Sequence, residues 1–549
     1  MSEPTDPVTL ALTGVLPAGL IAGALLAYPL SRLLLRMYHR SIGRSMAQLG
    51  SESGTAKTLP PGSPTPPIYE LQLLNASAER SIGEAAVVLN ASRRAAIVYA
   101  AAGGAFAAVM TVAWLVATRD ESMPLTKLLL LFWTYFWPSI LTVNLVAGLR
   151  RQHRALITSY FCAYAALVLV ALARNPAMQW HELPLYWLLI NGPPTLLLAA
   201  FLGRRIRAVG PMVLAFTVIA VIGSQVPATI VSNDESLLRR IAQLGTAAGL
   251  TAGDIFWGMM LVGLIVFALV GWATLHWTGG LYRRKRMSDQ MVVIDAMWLL
   301  FAIVHSIGLV FEGWPWIFSG FAAFAAFFAV RSAGFAVLRR SGRAAARRLL
   351  LLRVFALGAR SERLFDVLEK HWRRAGDIML IAGPDLVTTT VEPHEFLDFL
   401  GGGLSRQFVK DQADLARRIE KMDTAMDPDL RYRVNEFFCH ADTWQMTMRE
   451  LAGHADAVLM DLRSFSRKNQ GCLFELGELL NSVDLRRVVF VIDATTDRRF
   501  VESALLDLWN RVPAGSPNRK ASAPAARLFD LSAQHDEPAI RRLFAALTA

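Results

Sequence analysis

Apolar residues in this chain are arranged in two ways. Up to about residue 340 they form runs of roughly 20, the length a helix rising ~1.5 Å per residue needs to cross ~30 Å of hydrocarbon. Nine such spans are predicted, near 9–31, 95–117, 124–148, 155–173, 183–203, 210–231, 254–276, 290–311 and 314–338. Beyond Arg348 the apolar runs shorten and alternate with amphipathic stretches, an α/β signature. Strands are predicted at 350–357, 377–383, 432–440, 456–462, 486–493 and 526–532. Helices fall at 361–376, about 394–424, 442–455, 469–483, 498–512 and 536–547. Continuously apolar strands imply a sheet covered on both faces, and the intervening helices imply right-handed parallel crossovers. The reading is therefore two domains: 1–348, membrane-embedded with a cytoplasmic linker at 45–92, and 349–549, an α/β parallel-sheet domain.

Composition sharpens this picture. Hydrophobic residues make up 54% of the 549 and charged residues 18%, which excludes an all-soluble chain. The net charge of +12 would suit a nucleic-acid binder if it were evenly spread. It is not: residues 351–549 carry 27 basic and 29 acidic side chains, so the excess base lies entirely among the apolar runs. That is the pattern of cytoplasmic loops, and no nucleic-acid partner is expected. The three cysteines, Cys162, Cys439 and Cys472, form no CxxC and no His/Cys cluster, so neither a disulfide framework nor a metal site is implied.

Arginines gather at alternate junctions: Arg32 to Arg44 after the first span, Arg150 to Arg154 between the third and fourth, Arg204 to Arg207 after the fifth. Arg283 to Arg286 follow the seventh, and Arg339 to Arg348 close the ninth. Because basic loops resist translocation, this predicts a multi-pass inner-membrane protein with its N-terminus outside and its C-terminal third in the cytoplasm. The acidic front end, MSEPTDP, marks the first span as a retained anchor. Arg239 and Arg240 break the pattern, and 235–250 is read as a helix lying on the outer surface. In the loop 45–92, a Gly/Ser/Pro-rich opening reads as a mobile linker and the remainder as a helix on the membrane surface. Asp295 and His305 inside span eight, and Asn191-Gly192-Pro193-Pro194 interrupting span five, raise a transporter with a regulatory domain as one reading. The absence of an inverted repeat argues against it.

In an open parallel sheet, ligands bind beyond the C-terminal strand edge where the strand order reverses, so chemistry belongs to the segments just after strands. None of them carries a P-loop, a GxGxxG fingerprint, a GxSxG elbow or HExxH, which leaves ATPase, ordinary dehydrogenase, serine hydrolase and zinc peptidase unsupported. The informative segment is GCLFELGELL, 471–480. At ~100° per residue, Leu473, Leu476, Leu479, Leu480 and Val483 share one face; Glu475 falls at its margin and Glu478 far from it. Glu478 is then expected in solvent. Glu475, in the first turns of a helix aimed at the functional edge, is the candidate catalytic carboxylate, against the ordinary reading of an acid that merely favours a helix N-terminus.

The run ADAVLMDLRSFSRKNQGCLFELGELLNSVDLRRVVFVID, 455–493, resembles the core of Toll/interleukin receptor (TIR) domains and of nucleoside deoxyribosyltransferase-like proteins. The resemblance implies a flavodoxin-like α/β fold and a glutamate, here Glu475 within G-x-x-x-E-L-G, that cleaves an N-glycosidic bond. It covers about 200 residues by architecture and about 40 by motif. Enzymatic TIR domains often carry tryptophan four residues before the glutamate, where this chain has Gly471. The implied substrate is NAD or a related nucleotide, with no further cofactor, and the implied setting is bacterial stress or antiviral defence. Such chemistry passes through an oxocarbenium-like ribose that a carboxylate stabilises. Asp461 would bind ribose hydroxyls, Arg360 or Arg463 would meet phosphates, and Ser361 would join them in binding substrate.

Two readings of different class follow. One is a membrane-anchored NAD(P)+ nucleosidase or nucleotide glycosyl hydrolase-transferase. The other is a noncatalytic membrane signalling protein whose same domain binds a nucleotide or partner. Homo-oligomerisation suits both.

Overall fold

The structure, a computed structural model, describes all residues except 1–10, 49–68, 77–81, 120–124, 148–149, 176–177, 202–208, 341–345, 354–358, 383–395, 397–398, 401–406, 441, 468, 532–536 and 549. The chain separates into two compact units, one holding residues 1–37, 95–338 and 391–397, the other 38–94, 339–390 and 398–549.

The first unit is helical. Its principal elements are α1 (Leu16–Gln48), α2 (Ile82–Ala117), α3 (Leu125–Ala147), α4 (Arg150–Arg174), α5 (Glu182–Phe201), α6 (Gly210–Ser224), α7 (Val226–Asn233), α8 (Glu235–Ala247), α9 (Ala252–Arg283), α10 (Asp289–Ile307) and α11 (Phe318–Arg340), with the ends of α1, α2 and α11 passing into the second unit. Among the described residues nine helical stretches are long and apolar enough to cross a membrane, and they coincide with the predicted spans. A helix is present within 235–250, as α8.

Hydrocarbon gives apolar helices no reason to associate, so packing of small residues and interhelical hydrogen bonds must hold them. Both are present. A Cβ on Gly103 would stand 1.8 Å from Ser139 Oγ, and one on Gly320 would stand 2.1 Å from the Ala302 carbonyl oxygen. Trp298 Nε1 donates to Thr142 Oγ1 at 2.9 Å, and Trp137 Nε1 to Thr195 Oγ1 at 2.8 Å. Asp295 pairs with the buried Arg331. The expected interruption of span five is absent: α5 runs unbroken through Pro193 and Pro194. Thr195 Oγ1 donates to the Asn191 carbonyl, and the buried Asn191 amide donates to the Thr134 carbonyl and faces His305 Nε2. Asn191 thus ties helices together, and the feature that suggested a substrate-binding break is a packing joint.

The second unit is built on an eight-stranded parallel sheet: β1 (Gln72–Asn75), β2 (Leu349–Arg353), β3 (Ile378–Ala382), β4 (Phe408–Val409), β5 (Val434–Cys439), β6 (Ala457–Asp461), β7 (Val488–Ile492) and β8 (Ala525–Asp530), ordered β1-β8-β7-β6-β2-β3-β5-β4. Side chains alternate across it. Leu350, Leu352, Met379, Val458, Met460, Val488 and Phe490 pack with α13 (Gln412–Glu420), α14 (Trp444–His454), α15 (Gln470–Ser482) and α16 (Arg498–Trp509). The opposite parity, from Leu349 and Leu351 to Leu459, faces α12 (Ala359–Trp372) and α17 (Glu537–Thr548), where Trp372 and Phe544 meet at 5.3 Å. Helices therefore cover both faces, as the continuous apolar strands require.

Two features differ from expectation. The first is β1. Residues 72–75, in the stretch read as linker and surface helix, form an edge strand paired in parallel with β8. Leu71 enters the core, and Trp509 Nε1 donates to the Tyr69 carbonyl at 3.1 Å. The Gly/Ser/Pro-rich opening itself lies outside the described residues. The second is strand order. The six predicted strands are arranged as third-second-first-fourth-fifth-sixth, the order of dinucleotide-binding doubly wound sheets, whereas a flavodoxin-like sheet runs 2-1-3-4-5. The parallel α/β sheet stands; the six-strand order departs from the flavodoxin-like one because β5 pairs with β3 at the far side from β6, while β3-β2-β6-β7-β8 taken alone runs 2-1-3-4-5.

Candidate active site at the sheet edge

Strand order reverses between β2 and β6, so their C-terminal ends open the crevice in which such sheets bind ligands. Arg353 lies opposite Asp461 in this register. Beyond Asp461 the chain turns sharply: Leu462 donates to the Val491 carbonyl at 2.8 Å, and Ser464 takes φ 56°, a left-handed conformation that non-glycine residues rarely hold. The turn is fastened by Asp461 itself. Its Oδ1 accepts from Arg463 N at 3.2 Å and Nε at 2.8 Å, and its Oδ2 from Nη2 at 2.7 Å, with both side chains wholly buried. The structure brings these two predicted ligand-binding residues together, and it engages each with the other. Arg360 and Ser361 lie in the first turn of α12, which follows β2, although their side chains are outside the described residues.

α15 carries the candidate glutamate. Asn469 precedes it and accepts from Ser466 N and Oγ, both at 3.0 Å, closing the loop that leads into the helix. Glu475, in the second turn, is 2% exposed. At ~100° per residue it stands about 80° from the centre of the core stripe made by Cys472, Leu476, Leu479, Leu480 and Val483. Phe474 and Glu478 lie further round on the same side and meet α14. The Trp444 ring meets Phe474 edge-on at 5.3 Å, and the Arg449 guanidinium lies 5.2 Å from the Phe474 ring centroid. Glu475 therefore sits between the flank facing the sheet and the flank facing α14.

Glu478 corrects the phase argument. It was expected in solvent, yet it is 8% exposed and accepts from Arg449 Nη2 at 2.9 Å. A periodicity reading sees one buried stripe; here α14 covers a second flank of the helix. Sequence reasoning also passed over Trp444. Its ring comes within 3.8 Å of where a Cβ on Gly471 would stand, so the tryptophan packs against the start of α15. The signal was only a tryptophan opening a helix after a strand.

Cys439 and His440 end β5 as a packed pair, the thiol pushed up to about 11 by burial and the imidazole stacked on Phe408 at 4.7 Å. Cys472 is buried within the core, in the first turn of α15. Among the described residues, no group of three or more His, Cys, Asp or Glu is placed to hold a metal ion.

No family model matches this chain, and neither a curated protein nor a solved structure matches it. The site's own geometry is what bears on function.

Proposed function

We propose that this is a multi-pass inner-membrane protein whose cytoplasmic sheet domain cleaves an N-glycosidic bond of NAD or a related nucleotide, with Glu475 as the catalytic carboxylate. The observation that carries the reading is a carboxylate held in the second turn of a helix at the edge of a sheet whose strand order reverses beside it. A carboxylate shielded from water there interacts strongly with a cationic ribose and needs little reorganisation as charge develops. The first turn of α12, with Arg360 and Ser361, occupies the place after the first strand where doubly wound sheets receive phosphates on a helix N-terminus. Asp461 and Arg463, bound to each other, are assigned to holding the turn in shape.

Sidedness has one support besides the arginine pattern. β1 belongs to the loop between the first two spans and β8 to the C-terminal domain, and one sheet holds both, so both segments lie on one side of the membrane. That agrees with their joint cytoplasmic assignment.

The alternative is a noncatalytic domain that binds a nucleotide or partner and signals through the spans, a reading favoured by the near-complete burial of Glu475. The test uses the full chain, because residues 349–549 alone would leave β8 without its edge strand. The purified protein in nanodiscs is incubated with NAD and common nucleosides, and free base is quantified beside Glu475→Gln. Release that the substitution abolishes supports the enzyme. Nucleotide binding without release assigns the signalling role.

A further inference from the structure

Between α7, α8 and the start of α9 lies a hollow of about 390 Å³, within the size range of ligand pockets. Leu238, Ile241 and Ala242 form its roof, and Ile255, Phe256 and Met259 one wall. The hydroxyls in the lining are already spent on their own helix: Thr229 Oγ1 donates to the Gln225 carbonyl and Ser232 Oγ to the Thr229 carbonyl. Nothing there asks for a polar ligand.

The hollow is prebuilt. A Cβ on Gly245 would stand 2.2 Å from Ile255 Cδ1, so the glycine lets α8 close onto α9 at one end. Gly249 takes φ 73° in the connecting turn, and a reciprocal cap between Thr251 and Asp254 starts α9. At the other end Leu238 is 46% exposed and the hollow opens outward. At roughly 30 Å³ for each water-sized group, the space takes on the order of a dozen methylenes.

α8 also carries the two arginines that depart from the charge pattern of the other loops. Arg239 is exposed and pairs with Glu235 at 2.9 Å, while among the described residues no carboxylate pairs with Arg240. An amphipathic helix with leucines on one face and arginines on the other lies at a membrane interface, its basic face at the level of lipid phosphates. We propose that the hollow beneath α8 is a lipid site: it holds one acyl chain of an anionic phospholipid whose phosphate meets Arg239 and Arg240.

The test is native mass spectrometry of the full chain, released from detergent after equilibration with equal amounts of palmitoyl-oleoyl phosphatidylglycerol and palmitoyl-oleoyl phosphatidylcholine. One phosphatidylglycerol should survive activation that strips the remaining lipid. The double variant Arg239→Gln/Arg240→Gln, changed only at exposed positions, should lose that preference on the order of thirtyfold, the effect of two arginines near a charged surface. Ala242→Phe, which fills the roof, should lose the retained lipid altogether, whereas Leu169→Phe on an exposed face of α4 should keep it. Equal retention of the two lipids by the wild type, or unchanged retention in both the double variant and Ala242→Phe, would overturn the proposal.

Discussion

Replacing Arg463 by methionine tests whether the Asp461–Arg463 pair is structural. Both side chains are wholly buried, and the guanidinium meets the carboxylate through two short bonds, 2.8 and 2.7 Å. Removing only the cation leaves a carboxylate charge inside the protein, which costs about 3–5 kcal/mol, far above the ~0–1 kcal/mol of an exposed pair. In a domain of this size 1 kcal/mol shifts the melting temperature by ~2–4 °C, so the unit should melt on the order of 10 °C lower. Replacing both residues by apolar side chains, Asp461→Leu with Arg463→Met, should recover much of the loss, since desolvating the pair is itself costly. Thermal unfolding of the full chain in nanodiscs, resolved by hydrogen exchange over β6 and β7, separates this unit from the helical one. If Arg463→Met stayed within about 1 kcal/mol of wild type, the pair would be open to solvent in solution, and Asp461 would be available to a ligand after all.

Three further outcomes follow from the geometry. His371 is pushed down to about 4 by burial and the nearby Lys370, Arg541 and Arg374, while Asp377 is raised to about 6 by burial, with Asp456 adding to it and Arg348 offsetting part. A depressed histidine loses stability as pH falls from 6.5 toward 4, and a raised aspartate loses it as pH rises from 3.8 toward 6, so the two slopes oppose. Asp377→Asn should therefore make denaturant midpoints fall on acidification across this window, and His371→Gln should make them rise. Replacing residues 71–76 with Gly and Ser should speed amide exchange in β8, which loses its neighbour, and leave β3 unchanged. Glu478→Gln removes an ion pair whose arginine is half exposed, so it should cost no more than ~1 kcal/mol in unfolding experiments and spare any base release.

Six of the eight strands were legible because central parallel strands, buried on both faces, are written as unbroken apolar runs. β1 was not: QLLN is four residues long, mostly exposed, and acquires meaning only from β8, more than four hundred residues away. β4, at two residues, is below what any periodicity can register. Strand order was equally hidden, since local sequence states that a helix follows a strand but not on which side of the sheet the chain returns. The spans were read closely because the bilayer imposes one length and one polarity on each of them. The apparent break at Asn191 misled because a proline pair signals lost backbone bonds, while the bonds from Thr195 and Asn191 that keep the helix whole are tertiary. Periodicity puts Glu475 at the margin of the core stripe, but its near-complete burial, like that of Glu478 against α14, is tertiary and lies beyond any single-helix argument.

The central claim is that the Glu475 carboxylate acts on a nucleotide at the reversal of the sheet. Its most direct measurement is the rate of nicotinamide release from NAD by the full chain in nanodiscs, for wild type, Glu475→Gln and Glu478→Gln, with melting temperatures matched. The account predicts release by wild type and Glu478→Gln and none by Glu475→Gln. Undiminished release by a folded Glu475→Gln would contradict it.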